Sequence, residues 1–199
     1  ETSELSLILR AGALPAPLIV MEERSIGPGL GADSVAAGQV AAIVGLVLVI
    51  IYMILSYGFF GVLANIALAV NITLILGTLS FIQATLTLPG IAGIVLTMGM
   101  AVDANVLVFE RIREELRRGR NVMAAIEGGY QRAISTIIDS NLTTLFAALF
   151  LYGFGSGPIR GFAVTLAIGI ITSLFTAVMV TRMLIIIWLE RKRPRELVL

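Results

Sequence analysis

Between Asp33 and Asp103 the chain runs for 69 residues without an aspartate, glutamate, lysine or arginine. A helix needs about 20 apolar residues to cross the roughly 30 Å hydrocarbon core of a bilayer. This stretch therefore holds two complete spans and the opening of a third. The whole chain agrees with that reading: 58% of its 199 residues are hydrophobic and only 14% are charged, against about 25% charged in an ordinary soluble domain. No water-soluble domain of this size could hide so much apolar surface, so the solvent for most of the chain is lipid. That excludes a soluble enzyme, a nucleic-acid binder and a disordered tail. The chain has no cysteine and no histidine, which excludes disulfides, thiol chemistry, zinc fingers and imidazole acid–base work.

The expected fold is an all-α polytopic membrane bundle with five spans, at about 35–57, 59–81, 90–110, 133–153 and 159–182. Ser56-Tyr57-Gly58 separates the first two. Pro89-Gly90 opens the third, because proline is tolerated in a first helical turn. GFGSGP (153–158) closes the fourth. The last apolar run continues to Trp188 and as one helix would reach about 45 Å, so it is expected to emerge near Arg182. Residues 111–132 read as an amphipathic helix, a Gly-Arg-Asn turn and a second short helix, expected as a solvated or lipid-surface loop. Glycines 90, 93, 153, 155, 157, 161 and 169 are expected to allow close helix approach.

Five spans put the two ends of the bundle on opposite sides of the membrane, and lysine and arginine counts assign the sides. One side receives Arg111, Arg113, Arg117, Arg118, Arg120, Arg132, Arg191, Lys192, Arg193 and Arg195; the other receives Arg10, Arg24 and Arg160. The loop 111–132 and the basic tail 191–199 are therefore expected to be cytoplasmic, and residues 1–34 to lie outside. Within 1–34, ELSLILRAG reads as a short helix and APLIVMEERSIGP as a short strand, with Arg10, Pro15 and Pro17 breaking up any signal-peptide core. An isolated helix and strand have nothing to pack against. They are expected to be the end of a larger extracytoplasmic domain.

In this setting ionisable groups stand out, because an aspartate near the centre of a spanning helix costs roughly 2.5–3.5 kcal/mol on insertion scales. Asp103, in GMAVDAN, falls well inside the third span, with Gly99 one turn before it and Glu110 two turns after it on the same face. Asn105 points elsewhere. Two readings of Asp103 stand side by side: a polar group that bonds a neighbouring helix, or a carboxyl whose desolvation lets it load and release a proton. Asp139 falls nearer the start of the fourth span, within a polar stripe of Asp139, Asn141, Thr143 and Thr144. It too can be read as a near-surface polar group or as part of an ion path. Apart from Arg160 at the outer edge of the fifth span, Arg182 is the only basic residue inside a span. It either snorkels to the interface or pairs with Asp139 or Asp103. The candidate proton- or ion-coupling residues are thus Asp103, Asn105, Asp139, Asn141, Thr143 and Thr144, with Arg182 as an ion-pair candidate. No catalytic set, Walker loop, metal cluster or cofactor motif is present. The residues before Asp103 are GMAV, not the GxG that precedes an aspartate in aspartyl intramembrane proteases.

GMAVDANVLVFERIREELRRGR (99–120) and the run from AAIEGGYQRAISTIIDSNLTTL through TSLFTAVMVTR (124–182) are similar to the SecD family. RAGALPAPLIVMEERSIGPGLGADSV (10–35) resembles the end of that family's periplasmic domain. The family belongs to the resistance-nodulation-division superfamily and has six membrane helices, with a large periplasmic domain between the first two. The resemblance implies that this chain is helices two to six with a short remnant of a periplasmic α+β domain. It also implies a subunit of the bacterial inner membrane that works with SecF, beside the SecYEG channel and with YajC as a further partner. Such a subunit uses the proton-motive force to assist preprotein translocation. In that scheme Asp103 matches the aspartate associated with proton transport, Asp139, Ser140 and Asn141 match the DSN segment of the next helix, and SecF supplies a matching half with a basic residue. The alternative is an ion-coupled transporter of small solutes from the same superfamily, driven by protons or sodium.

Overall fold

The computed structural model describes Ser6 and residues 28–192, and among these residues all regular structure is helical. The elements are α1 (Pro28–Phe81), α2 (Leu88–Arg117), α3 (Val122–Phe154), α4 (Pro158–Phe175), a π-helical turn (Thr176–Val180) and α5 (Thr181–Lys192). Four helical stretches are long and apolar enough to cross a membrane: Val35–Phe81, Leu88–Arg117, Val122–Phe154 and Pro158–Lys192. Apart from the helical Ser6, the short helix and strand expected in the first 34 residues lie outside the described residues, and α1 already begins at Pro28.

As a straight rod, α1 would be about 80 Å long, far more than a bilayer core. It is instead two limbs joined at Gly58, whose backbone is non-helical (φ 52°, ψ −122°). Only glycine takes that conformation without steric cost. Beyond it the limbs fold back on each other. Asn65 Nδ2 donates to the Ile50 carbonyl at 3.2 Å, and Gly61 lies so close to the Met53 carbonyl that any side chain there would collide with it. Contacts 50–65 and 53–61 are those of an antiparallel pair. The first limb exposes Val40, Ile43, Val47, Leu48, Ile51 and Leu55, an apolar surface that only lipid or another membrane segment can solvate.

The centre of the bundle is α2, packed on α3 and α4. Small residues set the α2–α4 spacing: Gly90 and Gly93 lie against Thr165, Gly93 also against Phe162, and a Cβ on Gly169 would run into the side chain of Thr97. This is the close approach expected of glycines 90, 93 and 169. Gly161 joins them at the end of the crossing, against Thr87. Gly153, by contrast, meets nothing within 4 Å, and Gly157 (φ 49°) serves the turn before α4. Gly169→Val should push the two helices apart and lower stability by about 2 kcal/mol, measurable as a reduced unfolding midpoint in detergent. An unchanged midpoint would mean that the crossing is looser than these contacts indicate.

The segment 111–132 forms the helix, Gly-Arg-Asn turn and second helix read from the sequence, with residues 117–121 exposed at the turn. The second helix, however, is not a short piece but the start of α3. The helix α2 continues to Arg117, the chain turns through Gly119 (φ 81°), and α3 begins at Val122 and runs on to Phe154. Ile112, Glu115, Ala125, Ile126, Gly129 and Tyr130 are all buried in this helical corner. The reason is the short turn: it leaves the charged end of α2 no option but to lie on the first turns of α3. A Cβ on Gly129 would sit 2.8 Å from the Ile112 backbone nitrogen.

Arg182 lies near the start of α5, which runs on to Lys192. Ile185 and Leu189 beyond it are buried, and Trp188 meets the rings of Phe59 (4.9 Å) and Phe60 (5.7 Å). These contacts gather Gly58, the charged end of α2 and α5 at one end of the bundle, called here the basic end. Residues 79–87 and the start of α4 line one cavity at the opposite end.

Candidate functional site

Helical spacing puts Met100, Asp103, Ala104 and Leu107 on one face of α2, and Ile137, Ser140, Asn141 and Thr144 on one face of α3. Where these faces meet they line an open groove of about 200 Å³. Asp103 is the only ionisable side chain among the lining residues. It is exposed on the flank of the bundle and makes no hydrogen bond or ion pair among the described residues.

The α3 wall is polar for a local reason. Ser140 Oγ donates to the Ile137 carbonyl (3.1 Å), Asn141 Nδ2 to the same carbonyl (2.8 Å), and Thr144 Oγ1 to the Ser140 carbonyl (3.1 Å). Both hydroxyl donors and one amide N–H of Asn141 are spent on their own helix, as such groups in membrane helices tend to do. The oxygens that remain are acceptors, and Asn141 keeps one N–H. The groove thus pairs one carboxyl with a wall rich in acceptor oxygens. Such an arrangement suits a group that carries a proton as a neutral acid, or one that helps to ligate a small cation.

Of the residues singled out from the sequence, Asp103, Asn141 and Thr144 share this groove. Three others do not line it. Asn105 lies in the buried interior of α2 (3% exposed), with Nδ2 donating to the Ala101 carbonyl at 3.2 Å and Oδ1 unbonded. Asp139 and Thr143 are exposed beside the groove, with Thr143 Oγ1 donating to the Asp139 carbonyl at 2.9 Å. Arg182 pairs with neither aspartate within this chain. Its guanidinium carbon stands 5.7 Å from the centre of the Tyr130 ring, and it forms no ion pair among the described residues. Tyr130 precedes Asp139 by nine residues, about 13 Å along α3, so the arginine is docked too far towards the basic end to reach either carboxylate.

The sequence reading missed two further groups. The first is Glu115, fully buried and held by Arg118 (2.8 Å), Arg120 (2.9 Å) and Arg132 (2.7 Å). Nothing in the spacing of a charged run separates its one buried carboxylate from the solvated ones. The second is a cavity of about 290 Å³ on the charged end of α2, lined by Leu107, Glu110, Arg111, Arg113, Glu114 and Arg117. There Glu110 Oε1 accepts from the Tyr57 hydroxyl (3.0 Å) and from Arg113 (2.6 Å). Arg111 donates to Glu114 at 2.8 Å and holds that carboxyl below its ordinary range. The period of Asp103, Leu107, Glu110 and Glu114 along one helical face was the available signal.

Comparison with known proteins agrees with this architecture. Residues 16–191 match the family described as protein export membrane protein SecD/SecF, C-terminal. The protein translocase subunit SecD of Magnetococcus marinus is 56% identical over 197 residues, which cover 99% of this chain and 38% of that protein. The SecD of Rickettsia bellii is 58% identical over the same lengths. The crystal structure of SecDF from Thermus thermophilus, a translocon-associated membrane protein, superposes with a TM-score of 0.87 at 46% identity. It is matched over 99% of this chain and 28% of its own. The chain thus spans a little over a third of the SecD relatives it matches. A bundle of apolar helices, a groove built on the aspartate of GMAVDAN and the DSN segment of the next helix, and these matches lead to one conclusion: the chain belongs to the SecD/SecF C-terminal family of protein export membrane proteins.

Proposed function

We propose that this chain is the membrane portion of a SecD subunit that crosses the bacterial inner membrane five times. The two limbs of α1 are the first two crossings, the basic end is cytoplasmic, and residues 1–34 are the end of a periplasmic domain. With SecF, and beside the SecYEG channel, the subunit uses the proton-motive force to assist preprotein translocation. Asp103 is its proton carrier.

The observation that carries this reading is the placement of Asp103. The carboxyl lies on the flank of an apolar bundle, in a groove of Ser, Asn and Thr oxygens, with no ion-pair partner among the described residues. An ionised carboxylate facing acyl chains is costly. A second membrane half must therefore cover that flank and supply polar or basic groups. Ser135, Thr136, Asp139 and Thr143 extend the exposed polar strip along the same helix, so the cover is broad. The partner of the same class named in the SecDF relative, SecF, is the natural candidate. Protonation neutralises Asp103 and removes the reason for a polar cover to stay tightly engaged. Deprotonation restores it. A group that changes charge in low dielectric shifts the balance between two packings of adjoining halves, and that movement is what a periplasmic domain can use. The sidedness rests on the lysine and arginine distribution.

The test is the ion current through the full-length subunit with SecF in proteoliposomes, measured against a pH gradient and a sodium gradient separately. Current that follows the pH gradient without sodium is the expected result. Current that requires sodium would replace the proton by Na⁺ at the same acceptor-lined groove. No current under either gradient would remove the coupling role.

A further inference from the structure

The groove at Asp103 and the cavity at the basic end touch at one residue. Leu107 lines both. Asp103, Leu107 and Glu110 are related by four and then three residues, so they stack on a single face of α2. The two carboxylate-bearing positions are about 10 Å apart along the axis, too far for direct transfer and within reach of a short chain of waters.

Resting on the coupling role of Asp103 given above, we propose that Glu110 is the second carboxylate of the proton path, receiving the proton from Asp103 and releasing it at the basic end. Leu107 is the apolar step between the two. The other groups facing this cavity are poorly suited to the task. Arg111, Arg113 and Arg117 stay protonated and cannot relay. Glu114 is engaged by Arg111 and stands a further turn away from Asp103 along α2. Glu110 is the nearer carboxylate. Both of its donors, the hydroxyl of Tyr57 from the end of the first α1 limb and Arg113, bind the same oxygen, Oε1. Oε2 accepts nothing among the described residues. The carboxylate is thus oriented and yet keeps one free basic oxygen on the wall of the cavity that adjoins the Asp103 groove. Arg113 is in turn stacked over the Tyr57 ring at 5.3 Å, which fixes the trio.

The step balances as a proton transfer. Neutral Asp103 gives up its proton to water and becomes a carboxylate. Water passes a proton to Oε2 of Glu110, which becomes neutral and then returns it to bulk water at the basic end. Leu107 interrupts the water chain except when its side chain moves aside, so Asp103 is not continuously open to that end.

The experiment uses the full-length subunit with SecF in proteoliposomes, with two readouts: proton flux under an imposed pH gradient, and the rate at which a hydrophobic carbodiimide labels Asp103 as pH is changed on the basic side only. Glu110→Gln keeps an Oε1 acceptor for Tyr57 but cannot take a proton. It should slow flux by about tenfold or more, in the range of a lost acid–base group. Glu110→Asp should recover most of it. Leu107→Ala should make carbodiimide labelling of Asp103 follow the basic-side pH more rapidly. Wild-type flux in Glu110→Gln, with flux abolished in Asp103→Asn, overturns the role of Glu110 and leaves the role of Asp103 standing. Equal slowing by Glu110→Gln and Glu110→Asp reduces the residue to an anchor for Arg113 and also overturns the proposal. Labelling that ignores Leu107→Ala overturns the gate. If Asp103→Asn itself conducts normally, it is the coupling role that fails, and this path fails with it.

Discussion

Asp103→Asn should abolish proton-driven stimulation of preprotein export by the full-length subunit with SecF, while the complex still assembles. Asparagine is close to isosteric with aspartate and keeps a carbonyl oxygen, so the groove with Ser140, Asn141 and Thr144 should retain its shape. The one property removed is titration. If Asp103 is the carrier, proton flux should fall by about 100-fold or more, the scale on which a positioned acid–base group acts. Export should fall to the level reached without a proton gradient. Co-purification with SecF should persist, since asparagine still offers a polar amide to the covering half and Asp103 makes no bond among the described residues of its own chain. Proton flux that survives this substitution would show that the carboxyl is a packing group. Loss of the complex itself would show that its role is in assembly.

The second large effect concerns Glu115. Among the described residues it is a fully buried carboxylate with three guanidinium partners, drawn from the end of α2, the turn and the first half of α3. Glu115→Ala removes the centre of this cluster and leaves Arg118, Arg120 and Arg132 crowded together. Breaking a buried pair costs about 3–5 kcal/mol. These arginines are roughly half exposed and can turn into solvent, which reduces the effect. A loss of about 2–3 kcal/mol is therefore expected, read as a lower unfolding midpoint in detergent. Glu115→Gln, which still accepts hydrogen bonds, should cost less than the alanine. Because the site is at the basic end, neither variant should change the ion selectivity of the current. A midpoint unaffected by Glu115→Ala would mean that the corner is held by Ile112, Ile126 and Tyr130 alone.

The uncharged run 34–102, the break at Gly58 and the proline at 89 marked the all-helical character of the chain, the kink inside α1 and the start of α2. Burial of apolar side chains in lipid is set by local composition, and turns by single residues, so both can be read along the chain. The glycines at 90, 93 and 169 also marked the helix crossing in advance, because only a missing side chain permits that approach. Asp103 could be singled out for a similar reason: its cost in a membrane follows from its type and its distance from the span ends.

What could not be read was which polar residues meet. Asp139, Thr143 and Asn105 have the same chemistry as the groove residues, yet α2 and α3 meet on a face that leaves the first two beside it and turns the third inward. Arg182 stands over Tyr130 because α5 packs along the bundle. Glu115 became buried because a turn of a few residues folds the charged end of α2 onto α3. Composition and periodicity settle the solvent a segment prefers and the face it presents, since these depend on neighbours in the chain. Partners across helices depend on the rotation and crossing of whole elements. Those follow from contacts made at many residues at once, and no local stretch of sequence contains them.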